Sequence, residues 1–172
     1  MFIITGQSLR EPPMTFMEPR SSHVTLEIGM QQKGLRIALF QPDIPGNTGA
    51  LLRLSACLGI EVELIEPAGF ALSDRMLRRA GMDYLEIAAL HRHPSWEAFE
   101  RWRREEQRRL ILLTTATKVP YTSFCFRGDD MLLFGRESSG VPDHVQAAAD
   151  CRLTMPMREG ARSLKVALAA AM

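Results

Sequence analysis

The stretch LLFGRESSGVPDHV, residues 132–145, is an apolar run that ends at Gly135, followed by a second glycine at 140 and a proline at 142. It reads as a buried strand, a loop at the strand's carboxyl end, and the start of a helix. The loop matches neither of the glycine patterns it superficially suggests. Gly135 and Gly140 have the separation of a phosphate-cradling G-x-x-x-x-G-K-[ST], but Val141 and Pro142 stand where Lys and Ser/Thr belong. Ser138 and Ser139 are out of register for a G-x-S-x-G nucleophile elbow. Ser138, Asp143 and His144 supply the residue types of a hydrolytic triad, yet nothing positions a nucleophile among them. Glu137, between the glycines, is either a solvated loop acid or cap partner, or an acceptor for a polar ligand. The glycines let a backbone approach closely, and without a lysine after Gly140 a triphosphate is not expected.

Working outward, the same strand–loop–helix unit recurs. LRIALF (35–40) is a short apolar run suited to a buried strand. After QPDIPGN, Asn47 or Thr48 can cap a helix running to Leu58, with Gly59 where a left-handed C-terminal residue belongs. EVELI (61–65) reads as a strand, Ser73 or Asp74 as the start of a short basic helix ending near Gly81, and YLEIAAL (84–90) as a third strand. Pro94 suits the first position of a helix to about Gln107, on which Trp96, Phe99 and Trp102 form an apolar stripe. LILLTT (110–115), MLLF (131–134) and CRLTM (151–155) complete the strands. A helix spans Pro142 to Ala149, and Ser163 opens a last one. This βα alternation predicts an α/β fold with a mostly parallel sheet. Ligands of such sheets bind beyond the carboxyl ends of the strands, near a switch point. Three strand-end loops therefore matter: QPDIPGNTG, GRESSGVP and PMREGARS.

With 172 residues, a 46% apolar share and a net charge of +1, the chain has the makings of one globular domain and no overall basic surface. Residues 1–33 carry Pro12, Pro13 and Pro19 and no sustained period, so they read as an arm, poorly ordered or loosely docked, ahead of a domain at 34–172. No signal peptide or membrane span is read. Three scattered cysteines imply reduced thiols and a cytoplasmic protein. His91-Arg92-His93 is an isolated pair, read as surface rather than as a ligand set, so no metal site is expected.

The first helix, GNTGALLRLSACLG, is apolar nearly all round and is expected to be largely buried. Arg53 sits among Gly49, Ala50, Ala56 and Cys57 with no intrahelical carboxylate. It either snorkels to solvent or faces an external anion or second subunit. Ser163 is a natural N-cap, which accounts for it without function. Arg75, Arg78 and Arg79 on the short basic helix are a solvated face or a phosphate contact. The stretch 94–109, with five arginines and four glutamates, reads as a salt-bridged exposed face.

Taken together, IALFQPDIPGNTGALLRLSACLG, IEPAGF with LRRAGMDY, LLFGRESSGVP and MPMREGARSL resemble, in order and separation, the SpoU branch of the SPOUT RNA 2′-O-methyltransferases. Within it, IEPAGF and RRAGMDY are similar to the small single-domain members that methylate the wobble ribose of tRNA. The resemblance covers about Leu35 to Met172 and leaves the arm without a counterpart.

It implies a parallel-sheet α/β/α fold with a deep C-terminal trefoil knot, S-adenosylmethionine as methyl donor, a homodimer formed through the knot region, and the tRNA anticodon stem-loop as partner. Leu113, Gly135, Met155 and Ser163 would bind the cofactor. Arg53, Asn47, Glu137 and Ser163 would serve methyl transfer. The chain departs from the family's Ser-(Leu/Met)-Asn in reading Ser163-Leu164-Lys165, and its last helix stops at Met172, short of the family's usual length. Two alternatives stay open: methylation at another tRNA or rRNA site, and an RNA-binding protein that keeps the fold without turnover.

Overall fold

The computed structural model describes residues 33–71, 89–158, 160 and 164–172. Six strands, β1 (Arg36–Phe40), β2 (Glu61–Ile65), β3 (Leu90–His93), β4 (Leu110–Leu113), β5 (Met131–Phe134) and β6 (Cys151–Leu153), form one sheet in the order β3-β2-β1-β5-β4-β6. Every pairing is parallel. The chain works outward from β1 to β3, then starts again on the other side of β1. The strand order therefore reverses beside β1 and β5, and a crevice opens there at the carboxyl edge.

Helices cover both faces. α1 (Pro45–Leu58) and α4 (Val166–Ala171) lie on one, α2 (Trp96–Glu105) and α3 (Asp143–Ala148) on the other. Strand alternation sorts the core accordingly. Ala38, Phe40, Met131 and Leu133 pack with Phe99 and Val145, whereas Ile37, Leu39 and Phe134 pack with Leu51 and Leu52. Each of these large side chains, fully buried, contributes about 1.5–3 kcal/mol.

The helix limits show local chemistry and its failures. Gly59 takes φ 66, ψ 29 and ends α1, the left-handed cap the sequence predicts. The start differs: α1 begins at Pro45 with Ile44 at the cap position, not at Asn47 or Thr48. Pro45 needs no N–H partner and its fixed φ suits the first turn, which leaves the Asn47 side chain available for a distant partner. Similarly, Ser95 rather than Pro94 introduces α2, its Oγ accepting from the Ala98 N–H at 3.2 Å. α4 begins at Val166 after Lys165, not at Ser163.

Two expectations about burial are corrected. α1 buries only one side (Thr48, Gly49, Leu51, Leu52, Ser55), because a helix lying on a sheet has a far side; Ala50, Arg53 and Cys57 are exposed there. The 94–109 stretch is not simply a solvated face, since Glu100, Arg103 and Arg108 are buried. Arg103 grips Glu100 with two bonds of 2.7 Å and also donates to the Arg108 carbonyl at 2.6 Å. Burial raises the Glu100 pKa, but the hydrogen bonds from Arg103 and Arg104 outweigh it and leave it below the usual carboxylate value. The expected strand at 84–90 lies mostly outside the described residues; among those described, β3 runs over Leu90 and the His-Arg-His pair. The basic helix with Arg75, Arg78 and Arg79 and nearly all of the arm also lie outside them.

Past β6 the chain enters a clasp. Thr114 N–H donates to Leu153 O at 2.8 Å, Thr154 N–H to Val119 O at 2.8 Å, and Tyr121 N–H to Thr154 O at 3.0 Å. Residues 114–121 thus hold both edges of the segment that leads toward α4.

Candidate active site

The three strand-end loops meet at the crevice. A cavity of about 640 Å³ there is lined by residues of the loop after β1 (Ile44, Asn47), of β4 and its exit (Leu112, Leu113, Thr114, Thr115), of the β5 loop (Gly135, Arg136, Glu137, Gly140) and of the segment after β6 (Met155, Met157, Leu164 to Val166). Among the predicted residues, Asn47, Leu113, Gly135, Glu137 and Met155 share this wall.

Arg53 does not line it. Six residues beyond Asn47 on α1, it is rotated about 120° away from that side chain, on the exposed face of the helix. Ser163 lies outside the described residues.

Glu137 is neither a free loop acid nor a helix cap. Its Oε1 accepts from Asn47 Nδ2 at 3.1 Å and its Oε2 from the Asp43 N–H at 3.0 Å. One carboxylate thus ties the β5 loop to the loop and first turn that follow β1. Two further bonds strengthen the tie. Ser138 Oγ donates to Asp43 Oδ2, so the Ser138 side chain clamps the two loops together. The Arg136 guanidinium donates to Gln41 O at 3.2 Å and to Gln41 Oε1 at 2.8 Å. Gln41 takes φ 46, a left-handed conformation uncommon outside glycine, and these bonds hold it. The Asp43 carboxyl titrates below the usual carboxylate range through its contacts with Glu137 and the Ser138 hydroxyl.

The two loop glycines serve the loop itself. Arg136 and Gly140 exchange backbone bonds of 2.9 and 2.7 Å, and Gly140 has φ +68. A Cβ on Gly135 would lie 2.7 Å from the Gly140 carbonyl carbon. Gly135 is therefore demanded by closure of its own turn, where the sequence suggested approach by a ligand. Gly69, of the IEPAGF segment, is constrained alike: its Cβ would sit 2.8 Å from that of Asp43, and its N–H donates to Pro42 O at 2.9 Å.

The cavity's chemistry is mixed. Leu112, Leu113, Phe134, Val141 and Met155 give an apolar floor, while Asn47 and Glu137 give a polar end. This volume and one-sided polarity suit a small organic cofactor with a charged tail. The β5 loop itself offers a polyphosphate no lysine, and its Arg136 already serves Gln41.

A second cavity of about 650 Å³ lies beside edge strand β3 and includes Glu63, His91, His93 and Trp102. Ligand atoms of Glu61, Glu63 and His91 lie within 4.8 Å of one another. Arg36, however, meets Glu61 at 2.7 Å and Glu63 at 2.5 Å, so the carboxylates already have their cation. His93, expected at the surface with His91, instead packs edge-on against Phe99 with centroids 5.3 Å apart and bonds buried Glu63 at 2.7 Å. The charge network belongs to the sheet edge.

Sequence reasoning located the three loops but missed what joins them. Gln41 and Asp43 lie within QPDIPGN and Arg136 within GRESSGVP, but their partners are far along the chain. Membership of those loops was the only signal that marked them.

Comparison with known proteins gives the family. Residues 34–172 match the SpoU rRNA Methylase family. The tRNA (cytidine(34)-2′-O)-methyltransferase of Beijerinckia indica is 60% identical over 136 residues, covering 79% of this chain and 85% of that protein. The protein of the same name from Escherichia coli K12 is 39% identical over 134 residues, covering 77% and 84%. A solved structure concerned with 2-OH methylation of C/U34 on tRNA superposes with TM-score 0.74 at 38% identity, covering 80% of this chain and 90% of that one. An AdoMet-bound rRNA methyltransferase from Sinorhizobium meliloti gives TM-score 0.72 at 26% identity, covering 81% and 53%. The chain belongs to the SpoU RNA methylase family, with its cavity at the sheet's switch point.

Proposed function

We propose that this protein methylates the ribose 2′-hydroxyl of the wobble nucleotide of tRNA, with S-adenosylmethionine as donor. The observation that carries the reading is the meeting of Asn47, Leu113, Gly135, Glu137 and Met155 on one cavity at the carboxyl edge of the sheet. The relatives named for that reaction, at 60% and 39% identity, support the choice of substrate.

When bound, S-adenosylmethionine supplies a methyl group already activated on a sulfonium. The chain is left with holding and alignment. Leu113 and Met155 offer apolar surface to an adenosyl group, and the Gly135 turn offers backbone groups. Ser163, outside the described residues, is proposed as a further donor-binding residue from the family resemblance. Asn47 and Glu137, fixed on each other, present a rigid polar end toward the reacting ribose. Arg53 stays protonated and so cannot accept the hydroxyl proton, which passes to water or a substrate phosphate as the oxygen takes the methyl group. Its guanidinium suits an adjacent phosphate or the oxygen as negative charge develops on it, and its place on the exposed face of α1 puts it where RNA or a second subunit would arrive.

The clasp around Thr154 supports a deep C-terminal trefoil knot. Exposed Leu58, Leu164, Leu168 and Met172 support a homodimer that covers this side of the molecule. Among the described residues no helix is long and apolar enough to cross a membrane. The cytoplasm is assigned as the compartment of a tRNA-modifying enzyme. Residues 1–33 are assigned as an extension to the methyltransferase domain at 34–172.

The test is to incubate the purified protein with labelled S-adenosylmethionine and unmodified tRNA, then map ribose methylation by mass spectrometry. Label confined to the wobble ribose is expected. Label at another site redirects the substrate, and donor binding without transfer leaves an RNA-binding protein.

A further inference from the structure

Lys165 lines the candidate active-site cavity and is exposed. No hydrogen bond or ion pair joins its ammonium to any described residue. The other charged side chains among the described residues of the wall are engaged: Arg136 with Gln41, and Glu137 with Asn47 and the Asp43 N–H. Among the described residues of the wall, Lys165 is thus the one cation without a partner. Its backbone is fixed at the cap position of α4, where its carbonyl accepts from Leu168 and Ala169 at 2.9 and 3.0 Å. A long side chain on a fixed root thus brings an exposed positive charge to the cavity wall.

We propose that Lys165 is a positioning residue that binds a backbone phosphate of the RNA substrate beside the ribose entering the cavity. This rests on the RNA-methyltransferase reading above. Two anions are chemically suitable: an RNA phosphate and the donor's carboxylate. Exposure favours the phosphate, because the donor's pocket must close around it whereas the RNA backbone arrives from solvent. A compact ammonium with no preset geometry holds a phosphate as a point charge. Most contacts that set the register of a nucleic acid are of this kind and carry no base specificity.

The test compares the full chain with Lys165→Gln and Lys165→Arg. Binding of a fluorescent anticodon stem-loop is followed across a salt titration with S-adenosylhomocysteine present. Donor affinity is measured separately by calorimetry. Lys165→Gln is expected to weaken RNA binding about fivefold and to reduce the slope of log affinity against log salt by roughly 0.7–0.9, the value of one phosphate contact. Lys165→Arg should restore both, and donor affinity should not change. An unchanged slope in Lys165→Gln overturns the proposal. So does a loss confined to donor affinity, which would assign the lysine to the donor's carboxylate. If the unsubstituted protein binds donor and RNA while the variants match it, only the role of Lys165 fails. If it binds neither, the functional reading fails as well.

Discussion

The Asn47 amide donates to the Glu137 carboxylate at 3.1 Å across 90 positions of sequence, and this bond joins the first turn of α1 to the loop after β5. Strands β1 and β5 are hydrogen-bonded neighbours, so the bond spans the point where the strand order reverses. Two elements that meet only in the folded chain acquire one rigid polar wall.

That pairing is measurable. Asn47→Ala and Glu137→Gln should each cost about 1–2 kcal/mol in denaturant unfolding, with a coupling of about 1 kcal/mol in the double variant, as expected for residues in direct contact. Each single change should also lower methyl transfer about tenfold or more. Fully additive stabilities would show that the two side chains do not act together.

Gly135→Ala forces a Cβ to 2.7 Å from the Gly140 carbonyl carbon, which is backbone and cannot swing aside. The turn must open, at about 1–3 kcal/mol. Calorimetric donor affinity should fall at least tenfold. Gly128→Ala, whose Cβ would meet nothing within 4 Å, is the control and should stay within about 0.5 kcal/mol of the parent. Equal behaviour of the two would remove the close-approach argument.

Arg53 lies off the cavity wall, on the exposed face of α1. Arg53→Ala should therefore leave donor affinity nearly intact while cutting methyl transfer about a hundredfold. Arg53→Lys, which keeps the charge and loses the planar fork, should recover only part of the rate. Near-normal turnover in both variants sinks the assignment.

Acid should dissolve the contribution of the Glu100–Arg103 pair. Burial raises the Glu100 pKa, but hydrogen bonds from Arg103 and Arg104 leave it below its ordinary value. The stabilisation is therefore complete above the unfolded carboxylate pKa and is lost as pH falls through the lower folded value. At neutral pH, Glu100→Gln should cost about 3 kcal/mol, because it leaves Arg103 buried beside a neutral group. The melting temperatures of parent and variant should converge as the pH is taken below about 4. A constant gap down to acid pH would mean that charge is not the source.

How much was legible in the chain depends on the range of the interaction concerned. MLLF became β5 with its predicted limits, EVELI became β2, and Gly59 took the left-handed cap, because apolar runs and backbone freedom are local properties. The three loops were found for the same reason: each follows a legible strand. Other readings failed where a distant partner intervened. Asn47 looked like a cap but Pro45 starts the helix, and Glu137 claims the amide. Arg103 and Glu100 looked solvent-facing by composition, yet each satisfies the other well enough to be buried.

By itself the sequence determined the α/β alternation, the apolar faces and the positions of the loops, since these follow from residue periodicity and backbone freedom over a few neighbours. Only the tertiary structure decided the order β3-β2-β1-β5-β4-β6, the exposed face that carries Arg53, and the Glu137 bonds that gather the loops into one wall. The physical reason is distance along the chain: a hydrogen bond or strand pairing between residues some 90 positions apart leaves no period in either segment, and exists only once the core has brought them together.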